Sequence, residues 1–312
     1  MPRALVTGGA GFIGSHLADR LISEGFEVNV LDNFFTGCLE NIKDYLNCPR
    51  FRLIRGDVRR RGIVREALRD VDYVFHLAAI ASVPLSMSKP KLVNEVNVSG
   101  TLNLLWESLR FNVKRFIFTS SCAVYGEPAY MPIDEEHPTN PVSPYAASKL
   151  SAEHYCRAFH KAYGLETVIL RLFNVYGPRQ ERGPYGGVIA KFIGALKSGR
   201  VPTIFGDGEQ TRDFVYVDDV VDALILASRC SECAGMTFNI GSGIETSINQ
   251  IAYKLIKIFG LNIKPIYFNA RAGDARRSYA NINKAREILG FRAKTPLEVG
   301  LEKCAKEYLS NY

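Results

Sequence analysis

A glycine-rich segment near the amino terminus, TGGAGFIG at residues 7–14, constrains the fold of this 312-residue chain more than any other feature. It joins an apolar strand pattern at Ala4–Thr7 to a helical pattern at Phe12–Glu24, with glycines at every third position. Such glycines allow a tight turn, bring the backbone close to a pyrophosphate and let the helix pack against the strand. The helix N-terminus adds unpaired N–H groups and the positive end of its dipole. The segment therefore predicts a dinucleotide site at the carboxyl end of the first strand.

Two acidic residues follow the next two predicted strands. Asp32 ends the second strand pattern, 18 residues beyond Gly14. A carboxylate there accepts hydrogen bonds from the ribose hydroxyls and repels a 2′-phosphate, so it favours NAD over NADP. Asp57 and Val58 follow the third strand, where the adenine is expected. Either aspartate has a simpler alternative role as the cap of the turn or helix that follows it.

The first half of the chain alternates short apolar runs with helical patterns, which is typical of a parallel sheet with crossover helices. Strands are predicted at Ala4–Thr7, Glu27–Leu31, Arg52–Arg55, Tyr73–His76, Arg115–Thr119 and Thr167–Leu172. Helices are predicted at Phe12–Glu24, Leu92–Phe111, Tyr145–Tyr163, Val188–Lys197, Asp218–Ser228, Ile248–Phe259 and Leu297–Leu309. The expected fold is α/β, a Rossmann doubly wound parallel sheet with a smaller, mixed C-terminal lobe. We assign residues 1–177 and 211–243 to the sheet domain, and residues 178–210 and 244–312 to the smaller lobe.

The charge of the chain is concentrated in one segment. Hydrophobic residues make up 47% and charged residues 23%, the balance of a globular protein with ample core. The net charge is +7, and residues 50–69 hold eight arginines against Asp57 and Glu66. Because most of the excess falls there, the total does not indicate a nucleic-acid partner. We expect the segment to form a solvated, arginine-rich helix face.

Cysteine spacing and hydropathy limit the other classes. The chain has seven cysteines, and only Cys230 and Cys233 form a CxxC pair. No second pair or paired histidines complete a zinc site, so no metal is predicted. Free thiols are expected there, with a disulfide as the alternative. No apolar stretch approaches the 18 residues of a membrane span, so a cytoplasmic protein without a membrane partner is expected.

A tyrosine and a lysine are placed for proton transfer. Tyr145 and Lys149 lie four residues apart early in a predicted helix, which puts both on one face. A phenol is a poor base at neutral pH, but a neighbouring ammonium stabilises the phenolate. Ser121 lies at the end of the fifth strand, at the sheet edge where ligands bind. The alternatives are an ordinary helix surface for the pair and a strand-end cap for Ser121.

Eight motifs in order along the chain resemble a known family. They are TGGAGFIG, the LDN at 31–33, HLAAIASV at 76–83, SSCAVYG at 120–126, SPYAASK at 143–149, RLFNVYGPR at 171–179, GDGEQTRDFVYVDDVVDA at 206–223 and RAGDARRSYANINKAREILGF at 271–291. Together they resemble the extended short-chain dehydrogenases/reductases. The resemblance is stronger to NAD-dependent nucleotide-sugar 4-epimerases of the UDP-glucose/UDP-galactose and UDP-N-acetylglucosamine type, and it covers nearly the whole chain.

The resemblance implies an isomerase that inverts C4 of a UDP-hexose through a transient 4-keto sugar, with NAD as the cofactor. The implied catalytic residues are Ser121, Tyr145 and Lys149. The implied NAD contacts are Gly8, Gly11, Phe12, Ile13, Asp32, Asn33, Asp57, Val58, Leu77, Ala78, Ala79, Asn97, Tyr145 and Lys149. The implied UDP-sugar contacts are Ser82, Ser121, Asn174, Val188, Arg212, Arg271, Asp274 and Ser278. For the two arginines, an ordinary surface or interlobe ion pair is the alternative.

Specificity and assembly are also implied by the resemblance. Dehydratase and decarboxylase relatives carry acids before the VYG signature, where this chain has Cys122 and Ala123. Ser278 matches a gate position where a small residue leaves room for an N-acetyl group, although a one-residue shift would place Tyr279 there. A homodimer is implied through the helices at 92–111 and 145–163. The remaining alternatives are a UDP-uronate epimerase or decarboxylase, and a non-catalytic NAD-sensing protein.

Overall fold

The computed structural model describes residues 1–180, 186–270 and 276–310. Its strands, in chain order, are β1 (Arg3–Thr7), β2 (Glu27–Asp32), β3 (Phe51–Arg55), β4 (Tyr73–His76), β5 (Arg115–Ser121), β6 (Thr167–Leu172), β7 (Asn174–Tyr176), β8 (Thr203–Phe205), β9 (Thr211–Tyr216), β10 (Thr237–Ile240), β11 (Glu245–Ser247) and β12 (Ile266–Phe268). Its α-helices are α1 (Phe12–Ser23), α2 (Arg61–Ala67), α3 (Val83–Ser88), α4 (Pro90–Asn94), α5 (Gly100–Arg110), α6 (Pro144–Tyr163), α7 (Val188–Lys197), α8 (Val217–Arg229), α9 (Ile248–Ile258) and α10 (Leu297–Ser310).

The main sheet of the described chain has seven parallel strands in the order β10-β6-β5-β4-β1-β2-β3. All six predicted strands belong to it, with ends within two residues of those predicted. The chain leaves β3 and returns to β4 on the other side of β1, so the winding direction reverses between β1 and β4. Ligands of open α/β sheets bind at the carboxyl ends of the strands at such a reversal. The structure thus confirms the predicted Rossmann fold and places its binding edge beside the glycine-rich turn.

The two helices that carry the main motifs begin and end where local chemistry requires. Helix α1 buries Leu17 and Leu21 against the sheet, and the chain turns at Gly25, whose φ is +88°. Helix α6 begins at Ser143, whose side chain accepts a hydrogen bond from the Ala146 amide. It ends at Gly164 in the left-handed conformation, a common helix terminator. Both ends of α6 are therefore encoded next to the helix itself.

The chain also forms a smaller, mixed lobe, as predicted. Its three-stranded mixed sheet joins β11 to β9 and β7, two strands from segments assigned to the sheet domain, and β12 pairs with β8 in parallel. Helices α7, α9 and α10 pack around a separate core that includes Phe192, Ile251 and Leu301. Strand β10 instead joins the main sheet beside β6, a strand that the sequence did not predict.

The predicted helix at 92–111 is interrupted. The chain forms α4, a π-helical turn at Glu95–Ser99 and then α5. Such turns are rare and frequently occur at functional sites, and this one carries Asn97. Within the described ranges, no helix combines the length and apolar character needed to cross a membrane.

The prediction of free thiols at Cys230 and Cys233 is wrong, because the structure joins them in a disulfide. Helix α8 ends at Arg229, and a 3-10 turn at Ser231–Cys233 folds the chain back. The two Cα atoms are thereby 5.6 Å apart, within the usual range for a disulfide. The cysteines at positions 38, 48, 122, 156 and 304 are free.

The arginine-rich segment is paired rather than simply solvated. Arg61 and Arg65 of α2 both contact Glu107 of α5, which is fully buried. Arg52 pairs with Glu66, and Arg59 pairs with Asp57 and Glu95. The segment thus joins α2 to α5, which accounts for part of its charge without any polymer partner.

Candidate active site

A cleft of about 970 Å³ runs along the carboxyl ends of the main sheet and under the smaller lobe. Every predicted cofactor residue except Asn97 lines this cleft. Of the predicted substrate residues, Ser82, Ser121 and Asn174 line it as well. The volume lies at the upper end of what one small-molecule site needs, so the cleft has room for a dinucleotide and a second ligand.

The glycine turn forms the floor of the cleft. Gly8 has φ +71°, and a Cβ there would meet the Ala78 amide nitrogen at 2.9 Å. A Cβ on Gly14 would lie 2.1 Å from the carbonyl oxygen of Gly8. The first amides of α1 have no acceptor within the helix, and they begin at Phe12 on the cleft wall. The turn therefore offers N–H donors to an anionic group at a surface where no side chain intervenes.

Asp32 is held at the end of β2 by two backbone amides. Its carboxylate accepts hydrogen bonds from the Ala10 amide at 2.9 Å and the Phe34 amide at 2.8 Å. Burial nevertheless raises the pKa of Asp32 above its usual value. The predicted capping role and the ribose-binding role are compatible here, because each carboxylate oxygen can accept a second hydrogen bond and Asp32 lines the cleft.

Asp57 is clamped at the far end of the cleft. Arg59 binds both of its carboxylate oxygens at 2.9 Å, and the Asn33 amide group donates to it at 2.9 Å. These hydrogen bonds, led by that from Arg59, lower the pKa of Asp57 to about 2. The aspartate is therefore a fixed, ionised acceptor. Arg59 also lines the cleft. The sequence predicts it only as part of the arginine-rich segment and not as a residue of the site.

Tyr145, Lys149 and Ser121 meet at the other end of the cleft. The ammonium of Lys149 donates to the Thr119 carbonyl at 2.8 Å and lies over the Phe118 ring. Burial raises the pKa of Tyr145 to about 12, and a hydrogen bond with Ser121 opposes this rise. Burial lowers the pKa of Lys149 to about 8. The three groups lie together, and the buried phenol needs a nearby cation to ionise at neutral pH.

Asn97 supports the cleft from behind and does not line it. Its side chain accepts from the Ile80 amide at 2.8 Å and donates to the Ile80 carbonyl and to Ser148. Both amide hydrogens are thus used inside the protein, and the cofactor contact of Asn97 stays a prediction. The π-helical turn places it where it can join α6 to the segment after β4, which sequence spacing does not reveal.

The other described substrate residues are not among those that line the cleft. Arg212 lies on β9 and donates to the neighbouring Thr211 carbonyl at 2.7 Å. Ser278 is buried beside the smaller sheet, and Val188 begins α7 and packs against the core of the smaller lobe. Arg271 and Asp274 lie outside the described residues. The gate assignment to Ser278 or Tyr279 therefore remains a prediction.

Among the cleft residues that are not predicted as site residues, Arg179 and Glu307 contact each other. Arg179 lies in the quoted RLFNVYGPR motif, has φ +61° and pairs with Asp19 of α1 at 2.8 Å. Its amide donates to Glu307 of α10, and both residues line the cleft. The motif signalled Arg179, whereas Glu307 is 128 residues away and carries no local signal. No cluster of metal-binding side chains occurs among the described residues.

Comparisons with known proteins agree with this geometry. Residues 4–241 match the model of the "NAD dependent epimerase/dehydratase family". The UDP-glucose 4-epimerase of Mycolicibacterium smegmatis is 40% identical over 305 residues, covering 96% of each chain. The structure of UDP-N-acetylglucosamine 4-epimerase from Methanobrevibacter ruminantium, in complex with UDP-N-acetylmuramic acid, matches with TM-score 0.95 and 39% identity over 100% of this chain and 99% of that one. UDP-glucose 4-epimerase from Thermotoga maritima with UDP-glucose matches with TM-score 0.93 and 41% identity over 98% of both chains. The protein with this glycine turn and buried tyrosine–lysine pair belongs to the NAD-dependent epimerase/dehydratase family.

Proposed function

We propose that this protein is an NAD-dependent 4-epimerase of UDP-hexoses. The observation that carries the proposal is the meeting of Ser121, Tyr145 and Lys149 at one end of a cleft whose other end is lined by the glycine turn, Asp32 and Asp57. Two relatives named UDP-glucose 4-epimerase are similar to this chain over nearly their full length. The reaction is an isomerisation in which the sugar is oxidised at C4 and reduced again on the opposite face.

The residues of the cleft fit the cofactor. Side chains are excluded at Gly8 and Gly14 by the backbone around them, so a pyrophosphate can approach the amides of α1. Asp32 offers acceptors to a ribose and disfavours a 2′-phosphate by its charge and burial. When bound, NAD would supply the acceptor and donor of the hydride at C4. Lys149 is within the same cleft and supplies a donor for the second ribose.

The chain's own residues move the proton. Tyr145 as phenolate accepts the proton of the sugar 4-hydroxyl and returns it after the sugar has turned. The Lys149 ammonium stabilises that phenolate, and the Ser121 hydroxyl shares a hydrogen bond with it. Asn174 borders the same end of the cleft and is placed to bind the substrate. The 4-keto sugar can rotate within the site only if the nucleotide is bound tightly and the sugar is contacted loosely.

The residues before the VYG signature disfavour elimination or decarboxylation chemistry. Ala123 has no acidic group, and burial raises the pKa of the Cys122 thiol to about 11. Neither side chain can donate or accept a proton readily at neutral pH. A dehydratase or decarboxylase mechanism would need such a group at this place.

We expect purified protein to interconvert UDP-glucose and UDP-galactose without net change in NADH. Parallel incubations with UDP-glucose, UDP-N-acetylglucosamine and UDP-glucuronate test this by chromatography of the sugars, absorbance of NADH and release of CO₂. C4 inversion in any sample supports epimerisation and identifies the sugar. Stoichiometric NADH or CO₂ from UDP-glucuronate would contradict it, and so would binding of NAD without any turnover.

The smaller lobe is proposed to hold the UDP-sugar. We assign residues 178–210 and 244–312 to this lobe and residues 1–177 and 211–243 to the NAD domain. Val188, Arg212, Arg271 and Asp274 are proposed to contact the UDP portion, because guanidinium groups suit diphosphate recognition. Ser278 is proposed as the gate, and its small side chain predicts that N-acetylated sugars are accepted together with UDP-glucose.

A homodimer is proposed through α5 and α6. Trp106 of α5 is 42% exposed and Tyr163 of α6 is 57% exposed, and their rings pack edge to face. Large aromatic side chains left open on two adjacent helices are typical of an association surface. The interface implied by the family resemblance uses these same two helices.

Trp106→Glu is expected to convert a dimer to a monomer, because a carboxylate cannot be buried unpaired in an apolar contact. Light scattering after gel filtration measures the mass of each species. Tyr253→Glu is the matched control, since Tyr253 is 47% exposed on α9 and lies away from both helices. A wild-type monomer, or a Trp106→Glu dimer, would contradict the proposed interface.

A further inference from the structure

A buried carboxylate lies two helical turns beyond the catalytic tyrosine. Glu153 follows Tyr145 and Lys149 at four-residue spacing on α6 and has no exposed surface. It accepts hydrogen bonds from Arg171 Nε at 3.0 Å, Arg171 Nη2 at 2.8 Å and Arg157 Nη2 at 2.9 Å. A fourth comes from the Ser120 hydroxyl at 2.5 Å. Nothing in the proton-transfer steps above uses this residue.

The contacts of Glu153 lead directly to the catalytic strand end. Ser120 lies on β5 between Thr119, whose carbonyl accepts from Lys149, and Ser121. Helix α6 therefore binds two successive residues of β5, one through an ammonium and one through a carboxylate. Because Ser121 is the next residue along, its position relative to Tyr145 depends on both contacts.

The arginine that binds Glu153 also takes part in a second hydrogen-bond chain, through Tyr125 to Asn239. Arg171 lies on β6, opposite Ser120, and donates to the Tyr125 hydroxyl at 2.9 Å. That hydroxyl donates to Asn239 of β10 at 2.7 Å. The network thus spans β5, β6 and β10 beneath the catalytic end of the cleft, and it is nearly all buried.

The charges around Lys149 make Glu153 its counter-charge. Lys149 is 4% exposed, and its ammonium donates to the neutral carbonyl of Thr119. The titratable groups that face it are Tyr145, Glu153 and Cys156 on α6 and His76 on β4. Burial keeps His76 neutral, since its pKa is lowered to about 3, and burial raises the pKa of the Cys156 thiol. Glu153, one helical turn away on α6, is the carboxylate among these four groups and therefore supplies the negative charge that acts on the ammonium.

We propose that Glu153 is a positioning residue for the reaction: its carboxylate holds Ser120, and with it the strand end that carries Ser121, and its negative charge retains the proton on the buried Lys149. The positioning of Ser121 for epimerisation rests on the proposed function. The effect of the Glu153 charge on the lysine does not, and it can be measured in the absence of substrate.

The test is a pH titration of the Lys149 ammonium, monitored by NMR of the NAD-bound protein with isotope-labelled lysine. The signal of Lys149 is assigned by its loss in Lys149→Met. Glu153→Gln keeps an acceptor for Ser120 and removes the charge. It is expected to lower the pKa of Lys149 by about one unit, because a nearby opposite charge favours the ionised form. The alkaline limb of the pH–rate profile should move down by the same amount. Glu153→Asp keeps the charge and is expected to restore most of both values.

Glu107→Gln is the matched control. Glu107 is also fully buried and bound by two arginines, but it lies on α5 away from the cleft. The Glu107→Gln variant should have a lower free energy of unfolding, as Glu153→Gln does, but the pKa of Lys149 should be unchanged. An equal shift in both variants, or none in Glu153→Gln, would overturn the proposal.

A variant of opposite sign covers the case in which Glu153→Gln does not fold. Arg157 is 31% exposed and competes for the Glu153 charge. Arg157→Gln is expected to raise the pKa of Lys149 by about half a unit, and a fall or no change would contradict the proposal. If the variants shift the pKa of Lys149 as expected but the wild-type protein epimerises no UDP-sugar, the proposed function is wrong. The effect of the Glu153 charge on Lys149 is then still supported.

Discussion

Replacing Tyr145 with phenylalanine is expected to lower the rate of UDP-hexose epimerisation by about 10³-fold, the usual scale for loss of a general acid–base group. The substitution removes one oxygen and keeps the ring of a residue that is only 8% exposed. NAD binding should persist, because the glycine turn, Asp32 and Asp57 are untouched. Turnover of UDP-glucose at saturation, together with NAD content and UDP-sugar affinity, gives the measurement.

The matched control is Tyr155→Phe, the same chemical change on the same helix at a residue that is 40% exposed. It should retain full activity. Because burial raises the pKa of Tyr145 to about 12, Lys149→Met is also expected to lower the rate, since the phenolate then loses its neighbouring cation. Activity of Tyr145→Phe near that of the wild type would exclude the phenol as the group that moves the proton.

Local signals account for what the sequence predicted well. The glycine turn, the end of β2 at Asp32 and the four-residue spacing of Tyr145 and Lys149 are each determined within a few residues of the chain. Strand ends of a parallel sheet meet at one edge, so placing Ser121 beside Tyr145 needed only the topology. The fold class and the catalytic end of the cleft were therefore predictable from residues close together in sequence.

Contacts between distant segments account for the rest. Glu107 pairs with Arg61 across 46 residues and Glu307 with Arg179 across 128, and no periodicity indicates either. Strands β7, β8, β11 and β12 have three residues each, too few to show alternation, and they exist because a partner strand is present. The disulfide of Cys230 depends on how α8 ends. Asn97 depends on a π-helical turn, which shifts its side chain away from the position that an ordinary helix would give.

Glu153 is an intermediate case. Its spacing from Lys149 is readable in the sequence, and a helix of this length puts both on one face. Its role is not readable, because an acidic residue in a helix is usually solvent-exposed. Only the burial and the contacts with Ser120 and Arg171 distinguish it from an ordinary surface glutamate.

The second large effect is expected at Gly14. Gly14→Ala should lower the free energy of unfolding by about 3 kcal/mol, since overpacking costs typically 1–3 kcal/mol. It should also weaken NAD binding by about 100-fold, which corresponds to about 2.8 kcal/mol. The reason is geometric: the new Cβ would lie 2.1 Å from the Gly8 carbonyl oxygen and 2.8 Å from the Gly9 Cα. These are backbone atoms of the same turn, so the clash can be relieved only by opening it. Calorimetric titration with NAD and chemical denaturation measure the two quantities.

Gly62→Ala controls for the glycine-to-alanine change itself. Gly62 lies in α2, and a Cβ there meets nothing within 4 Å. That variant should gain up to about 1 kcal/mol of stability, the difference in helix propensity between the two residues, and bind NAD normally. If Gly14→Ala lost stability but bound NAD as tightly as the wild type, the turn would be structural only. The pyrophosphate would then have to be held elsewhere along the cleft. Loss of both in Gly14→Ala and of neither in Gly62→Ala would identify the close approach of backbone at the first turn of α1 as the feature that binds the cofactor.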